Sequence, residues 1–252
     1  MTMTTTRDVT TIPRIGHDEA MRLATAEDAK FATLMRNIAA EDWSKPTDCP
    51  LWDVRAMAAH VVGSAAGQVS PREFLRQKRK GKPVTAEIGG QFWWDGMNEV
   101  QVRERADLTT DALIAEWEAT YPKAVKARTK LPKPIANLKV LNLPIIGKQP
   151  VKYLFDVGFT RDVWMHRVDM CHAIGYGLDF DAEHDGRLME DYIAEWAGVY
   201  GVPFTLHVTG AAGGSFTYGE GGQTVTIDAV DLLRTLAERA HGEGLLANPL
   251  PL

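Results

Sequence analysis

From Leu154 to Ile174 the chain is apolar on nearly every side of a helical wheel, yet three polar residues share one row: Asp162, His166 and Asp169. Residues three and four apart are neighbours on one helical face. Phe155, Phe159 and Ala173 complete that face, while Leu154, Val157, Val163, Trp164, Val168, Met170 and Ile174 cover the others. A helix apolar all round is expected inside a core. A carboxylate and an imidazole carried into a core need a partner, because isolated buried polar groups are costly. A metal ion held by Asp162 and His166 is one such partner. An ordinary hydrogen-bonded Asp–His or Asp–Arg pair is the other, and the segment by itself does not separate them.

With 252 residues, 45% of them hydrophobic, the chain can build one full core and a small appended unit. A formal charge of −5 argues against a nucleic-acid partner. The basic run Arg72 to Lys82 reads as the solvated end of a helix, where cations complement the helix dipole. Two cysteines, Cys49 and Cys171, show no metal-type spacing and no disulfide framework, which predicts a reducing, cytoplasmic setting. Met1 to Pro13 is Thr-rich and lacks the apolar centre of a signal peptide, so it is expected to be a disordered tail. No apolar run is long enough to span a bilayer, so no membrane partner is expected.

Helical spacing predicts a first helix over His17 to Ala40. Asp53 is a plausible N-cap for a second, from Val54 to about Arg79, whose early turns carry Ala56, Ala58, Ala59, Gly63, Ala65 and Ala66 around His60. A third covers Gln91 to Arg105, and Thr109 or Thr110 caps a fourth that Pro122 interrupts or bends. Leu131 to Pro150, with four prolines, reads as an extended connection; the Asp162 helix and another from His184 to Tyr200 follow. After Pro203 the period changes to two: Phe204, Leu206 and Val208, then Phe216 and Tyr218, then Val225 and Ile227. Asp228 with Asp231 opens a last helix through about Arg239. The expected class is α+β: a helical bundle over residues 14–202 and a small β-β-β-α unit over 203–252, after the tail at 1–13.

His60 is the natural residue to complete a site with Asp162 and His166, although a lone His on such a face is more often a hydrogen-bonded core residue. Facing helices of a bundle commonly build metal sites from two His and one carboxylate. Such a set leaves coordination positions open for water or substrate.

These residues carry a resemblance. Trp43-Ser44-Lys45-Pro46-Thr47-Asp48-Cys49-Pro50-Leu51-Trp52-Asp53-Val54-Arg55, followed by His60, resembles the opening signature of the DinB-like metalloenzymes, and more closely the N-terminal domain of the mycothiol-dependent maleylpyruvate isomerase family. Arg161-Asp162 through His166-Arg167-Val168-Asp169 is similar to that family's second signature. The likeness covers roughly residues 17 to 200, with a weaker, abbreviated likeness beyond Phe204. It implies a DinB-like up-down helical bundle in which His60, Asp162 and His166 bind a divalent metal, typically Zn2+, with Fe, Ni and Mn left open. In the isomerase proper the carboxylate is Glu; Asp162 is one methylene shorter, so the ligand role carries over and identical substrate chemistry does not. The resemblance also implies an arginine late in the chain, for which Arg239 is the best catalytic match, although a surface helix-end Arg reads as well.

A divalent ion lowers the pKa of a coordinated thiol or water. In the family the thiol is mycothiol, which adds to an electrophilic carbon; elimination after bond rotation isomerises the substrate, and retention of the adduct transfers sulfur. The resemblance thus implies a thiol and a small electrophilic substrate as partners, and leaves room for a homodimer. A metal-dependent hydrolase and a non-catalytic binding protein remain alternatives. Asp169 is read as holding the tautomer of a ligand His, or bridging to Arg55 or Arg167. The stripe Trp94, Asn98, Gln101 and Arg105 could line the pocket or form an exposed polar face.

Overall fold

The computed structural model describes residues 6–251. It contains α1 (His17–Asn37), α2 (Val54–Val69), α3 (Pro71–Glu87), α4 (Trp93–Arg103), α5 (Thr110–Thr129), a turn α6 (Lys133–Ala136), a turn α7 (Val151–Tyr153), α8 (Phe159–Ile174), α9 (Asp185–Tyr200) and α10 (Ala229–Leu236). The strands are β1 (Arg7–Asp8), β2 (Lys139–Leu143), β3 (Gly147–Pro150), β4 (Phe204–Thr209), β5 (Gly214–Tyr218) and β6 (Gln223–Asp228). The class is α+β, a helical bundle with a small C-terminal sheet. No helix among the described residues is long and apolar enough to cross a membrane.

The chain divides into two compact units. One holds His17–Ala136 and Asp162–Gly177; the other holds the residues up to Gly16, Asn137–Arg161 and Leu178–Leu252. The boundary drawn from sequence at residue 202 thus differs from the division by contacts, which gives α9 and the β2–β3 hairpin to the unit that carries the sheet.

In the first unit, helix starts follow local chemistry. Asp53 accepts from the Ala56 N–H at 2.7 Å and Thr109 from the Ala112 N–H at 3.2 Å, each satisfying a donor the first turn leaves open. The long second helix expected from sequence is two helices, α2 and α3. Pro71 forces Ser70 into extended backbone, φ −142° and ψ 125°, and then serves as the first residue of α3. The basic run therefore lies within α3, not at a helix end: Arg76 binds Glu73 and Glu104, and Lys80 binds Glu104. Pro122 does not end α5, which runs on to Thr129. α2 is buried almost throughout, as its small residues require, and the Asp162 helix is buried nearly all round.

In the second unit the period-two pattern forms the expected strands, with Phe204, Leu206 and Val208 buried. β4 pairs antiparallel with β5 (Leu206↔Phe216) and parallel with β6 (Leu206↔Val225). Asp228 accepts from the Val230 N–H at 2.9 Å and caps α10, and Gly201 at φ 63° ends α9 in the left-handed region that glycine adopts freely. Two expectations are corrected. Residues 131–150 include a β-hairpin, β2–β3, closed over residues 144–146. Of the expected disordered tail, residues 1–5 lie outside the described residues. Residues 6–13 are ordered: Arg7 and Asp8 add β1 to the sheet edge beside β5, and Val9 and Ile12 are buried. The sheet therefore has four strands, in the order β1-β5-β4-β6.

Candidate metal centre

His60 in α2 and Asp162 and His166 in α8 all lie in the first unit. Their donor atoms converge. Nε2 of His60 stands 3.6 Å from Oδ2 of Asp162, and Nε2 of His166 stands 3.5 Å from Oδ1 of the same carboxylate. One donor atom from each residue lies within 4.8 Å of the others. The imidazoles meet edge to face, with ring centroids 5.1 Å apart at 90°.

Separations of 3.5 and 3.6 Å are long for a hydrogen bond. Two ligand atoms at the usual zinc bond lengths of about 2.0–2.2 Å, arranged tetrahedrally, stand about 3.4 Å apart. Nε2 of His60 is buried and has no hydrogen-bond partner among the described residues. A buried ring nitrogen left so costs free energy that a cation would restore. Asp162 keeps 29% of its side chain exposed, so one side of the set is open. Two imidazole nitrogens and a carboxylate therefore fit a divalent transition metal with open coordination positions.

Asp169 is fully buried, and its Oδ2 lies 3.2 Å from Nδ1 of His166. That contact leaves Nε2 of His166 to face Asp162. Arg55, one alternative partner considered for Asp169, donates to the carbonyls of Arg105 and Leu108. Arg167, the other, binds Glu27 at 2.7 Å. Burial pushes the Asp162 carboxyl up, but the neighbouring His60 and His166 outweigh it and hold Asp162 well below the usual carboxylate range. Burial likewise pushes His166 down. The neighbouring carboxylates of Asp162 and Asp169 reverse that and lift it to about 9.

Of the stripe Trp94, Asn98, Gln101 and Arg105, Gln101 reaches the centre: its Oε1 lies 2.9 Å from Nδ1 of His60. Trp94 stacks on Phe92 with centroids 4.6 Å apart, Asn98 is half-buried, and Arg105 binds Glu116. Arg239 lies in the other unit, half-buried just past α10, with Nη1 donating to the Ala237 carbonyl at 2.8 Å.

Trp52 and Cys49 received no role from sequence. The Trp52 ring stacks on His60, centroids 4.8 Å apart at 25°, and meets His166 edge-on at 6.2 Å. Its Nε1 donates to Glu99 at 3.2 Å. Cys49, His166 and Asp169 also bring donor atoms within 4.8 Å of one another. The signal for both was the Cys49-Pro50-Leu51-Trp52 stretch, which sits just before the Asp53 cap and so at the mouth of α2.

A model of the mycothiol maleylpyruvate isomerase N-terminal domain matches residues 24–171. That is more than half of the chain and contains the whole centre. The chain belongs to this family. Membership places it among isomerase-type enzymes. Two solved structures are similar to it: the mycothiol-dependent maleylpyruvate isomerase and a histidine-to-alanine mutant of that enzyme. Each is 16% identical, covers 93% of this chain and 92% of its own, and superposes with a TM-score of 0.57. At that identity the likeness establishes the shared fold. Among curated proteins no relative matches.

Proposed function

We propose that this family member is a metal-dependent enzyme that uses a low-molecular-weight thiol, mycothiol, to isomerise a small electrophilic alkene of the maleylpyruvate type. The observation that carries the reading is the convergence of His60, Asp162 and His166 around a buried ring nitrogen that has no hydrogen-bond partner among the described residues. His60, Asp162 and His166 would hold the cation, with Zn2+ the best match to two nitrogens and one oxygen. When bound, it would lower the pKa of a coordinated thiol toward neutrality.

The chain's own residues supply the rest. Asp169 orients His166, and Trp52, stacked on His60, keeps water from that face of the ring. The thiol sulfur adds to an alkene carbon, and the π pair moves onto the conjugated carbonyl. Rotation about the resulting single bond and expulsion of the thiol then return the alkene with inverted geometry. Asp162 stands where the isomerase proper has Glu, and a second outcome of the same addition is S-transfer, in which the adduct is kept. The proposed setting is cytoplasmic.

The test is to incubate the zinc-loaded protein with maleylpyruvate and follow loss of the cis alkene with mycothiol, with glutathione and without thiol. Turnover with mycothiol alone supports the isomerase. A stable thioether product identifies the S-transferase. Hydrolysis of esters or amides without any thiol would establish the hydrolase instead.

A further inference from the structure

Two buried glutamines stand between the surface of α3 and His60. Nε2 of Gln77 donates to the Gly63 carbonyl and to Oε1 of Glu73, both at 3.0 Å. Both partners are acceptors only, so the amide nitrogen of Gln77 must point at them and its oxygen must point the other way. That oxygen accepts from Nε2 of Gln101 at 2.8 Å. Gln101 is thereby oriented in turn, with its Oε1 facing Nδ1 of His60 at 2.9 Å. An amide oxygen can only accept, so Nδ1 of His60 carries a proton. Nε2, if the ring is neutral, presents a lone pair toward Asp162 and His166.

The backbone is shaped around this chain of amides. A Cβ on Gly63 would lie 2.4 Å from Cβ of Gln101, and one on Gly67 would lie 2.8 Å from Oε1 of Gln77. Both glutamines therefore lie flush against α2 at its two glycines. Gln77 is fully buried and Gln101 is 1% exposed, so water does not compete for these bonds.

We propose that Gln101, oriented by Gln77, is a positioning residue that locks His60 in the Nδ1–H tautomer and so aims its Nε2 lone pair at the cation site. The role in cation binding rests on the metal reading above; the tautomer itself does not. The two imidazoles are prepared differently. His166 is held through Nδ1 by a carboxylate and His60 through Nδ1 by a neutral amide.

The experiment is long-range 1H–15N correlation spectroscopy of metal-free, histidine-labelled protein at mildly alkaline pH, followed by zinc titration. Wild type is expected to show His60 as Nδ1–H with Nε2 unprotonated. Gln101→Leu should mix the tautomers and weaken zinc by about 10- to 100-fold. Gln101→Glu keeps an acceptor at the same place and should keep the Nδ1–H tautomer. Gln77→Leu provides the test should Gln101→Leu fail to fold, and is expected to mix the tautomers as well. An Nε2–H tautomer in wild type overturns the proposal, as does an unchanged tautomer in whichever leucine variant folds. If the tautomer depends on Gln101 yet wild type binds no zinc, the relay stands and the metal reading fails.

Discussion

His166 is held between two carboxylates, with Asp169 3.2 Å from its Nδ1 and Asp162 3.5 Å from its Nε2. Together they outweigh burial and lift the ring to about 9, against an ordinary value of 6.5. A histidine raised in this way stabilises the fold below its unfolded pKa, and the benefit is lost as pH rises through the folded value. Metal-free protein should therefore lose thermal stability between pH 6.5 and about 9. Zinc-loaded protein should lack that decline, because binding has already displaced the proton. Apparent zinc affinity should climb by about tenfold per pH unit up to that value, since one proton competes. Melting curves in chelator and in zinc across this window check both statements; a flat metal-free profile contradicts them.

Removing one donor should empty the centre without unfolding the bundle. His60→Ala, Asp162→Ala and His166→Ala are each expected to lose zinc by elemental analysis while keeping the helical circular dichroism spectrum. Asp169→Ala, which removes the partner of Nδ1, should weaken zinc by roughly 10- to 100-fold. Equal metal content in wild type and all three donor variants would rule out this ligand set.

Arg161, the residue before Asp162, belongs to the unit that carries the sheet. It is buried, binds Asp191 at 2.6 Å and Glu195 at 2.5 Å, and lies over the Tyr192 ring. Arg161→Met should leave two buried carboxylates facing each other and cost about 3–5 kcal/mol in urea denaturation. A loss under 1 kcal/mol, the scale of an exposed ion pair, would show that the network is not stabilising.

Two glycines in helices should respond with opposite sign. A Cβ on Gly81 would lie 2.4 Å from the Met97 backbone nitrogen, so Gly81→Ala must push α3 and α4 apart. Overpacking of that kind costs about 1–3 kcal/mol, more than the helical gain of about 1 kcal/mol. A Cβ on Gly198 meets nothing within 4 Å, so Gly198→Ala should stabilise by about 0.5–1 kcal/mol. Thermal denaturation of both variants decides the matter.

Asp28 carries an avoidable cost. Burial raises its carboxyl to about 6, despite the opposing pull of Trp117 and Arg36. A carboxyl raised in the fold binds its proton more tightly there than unfolded, so stability falls as pH rises from 3.8 to about 6. Asp28→Asn should therefore stabilise the protein at pH 7, by no more than about 1–2 kcal/mol once solvent screening of a half-exposed carboxyl is allowed for, and the gain should vanish near pH 3. A variant no more stable than wild type at neutral pH would refute the assignment.

Much of the architecture could be read along the chain because it depends on neighbours in sequence. The caps at Asp53, Thr109 and Asp228 satisfy amides two or three residues away, and the alternation of Phe204, Leu206 and Val208 needs only one buried face. Where the reading departed from the structure, the deciding contact was distant. Arg7 and Asp8 are a strand only because Phe216 and Thr217 lie beside them, about two hundred residues on. The break at Ser70 was visible in Pro71, but helical periodicity on both sides of it hid the change of direction.

The chain by itself determined that Asp162, His166 and Asp169 share one row of a buried helix, since 3.6 residues per turn is a local property. It also determined that α2 would offer His60 among small side chains. Only the tertiary structure decided that these two helices bring His60 and Asp162 within 3.6 Å, and that Gln101 from a third helix fills the space Gly63 leaves. The physical reason is that a turn of helix sets which residues face the same way, while the packing of whole faces sets what they meet.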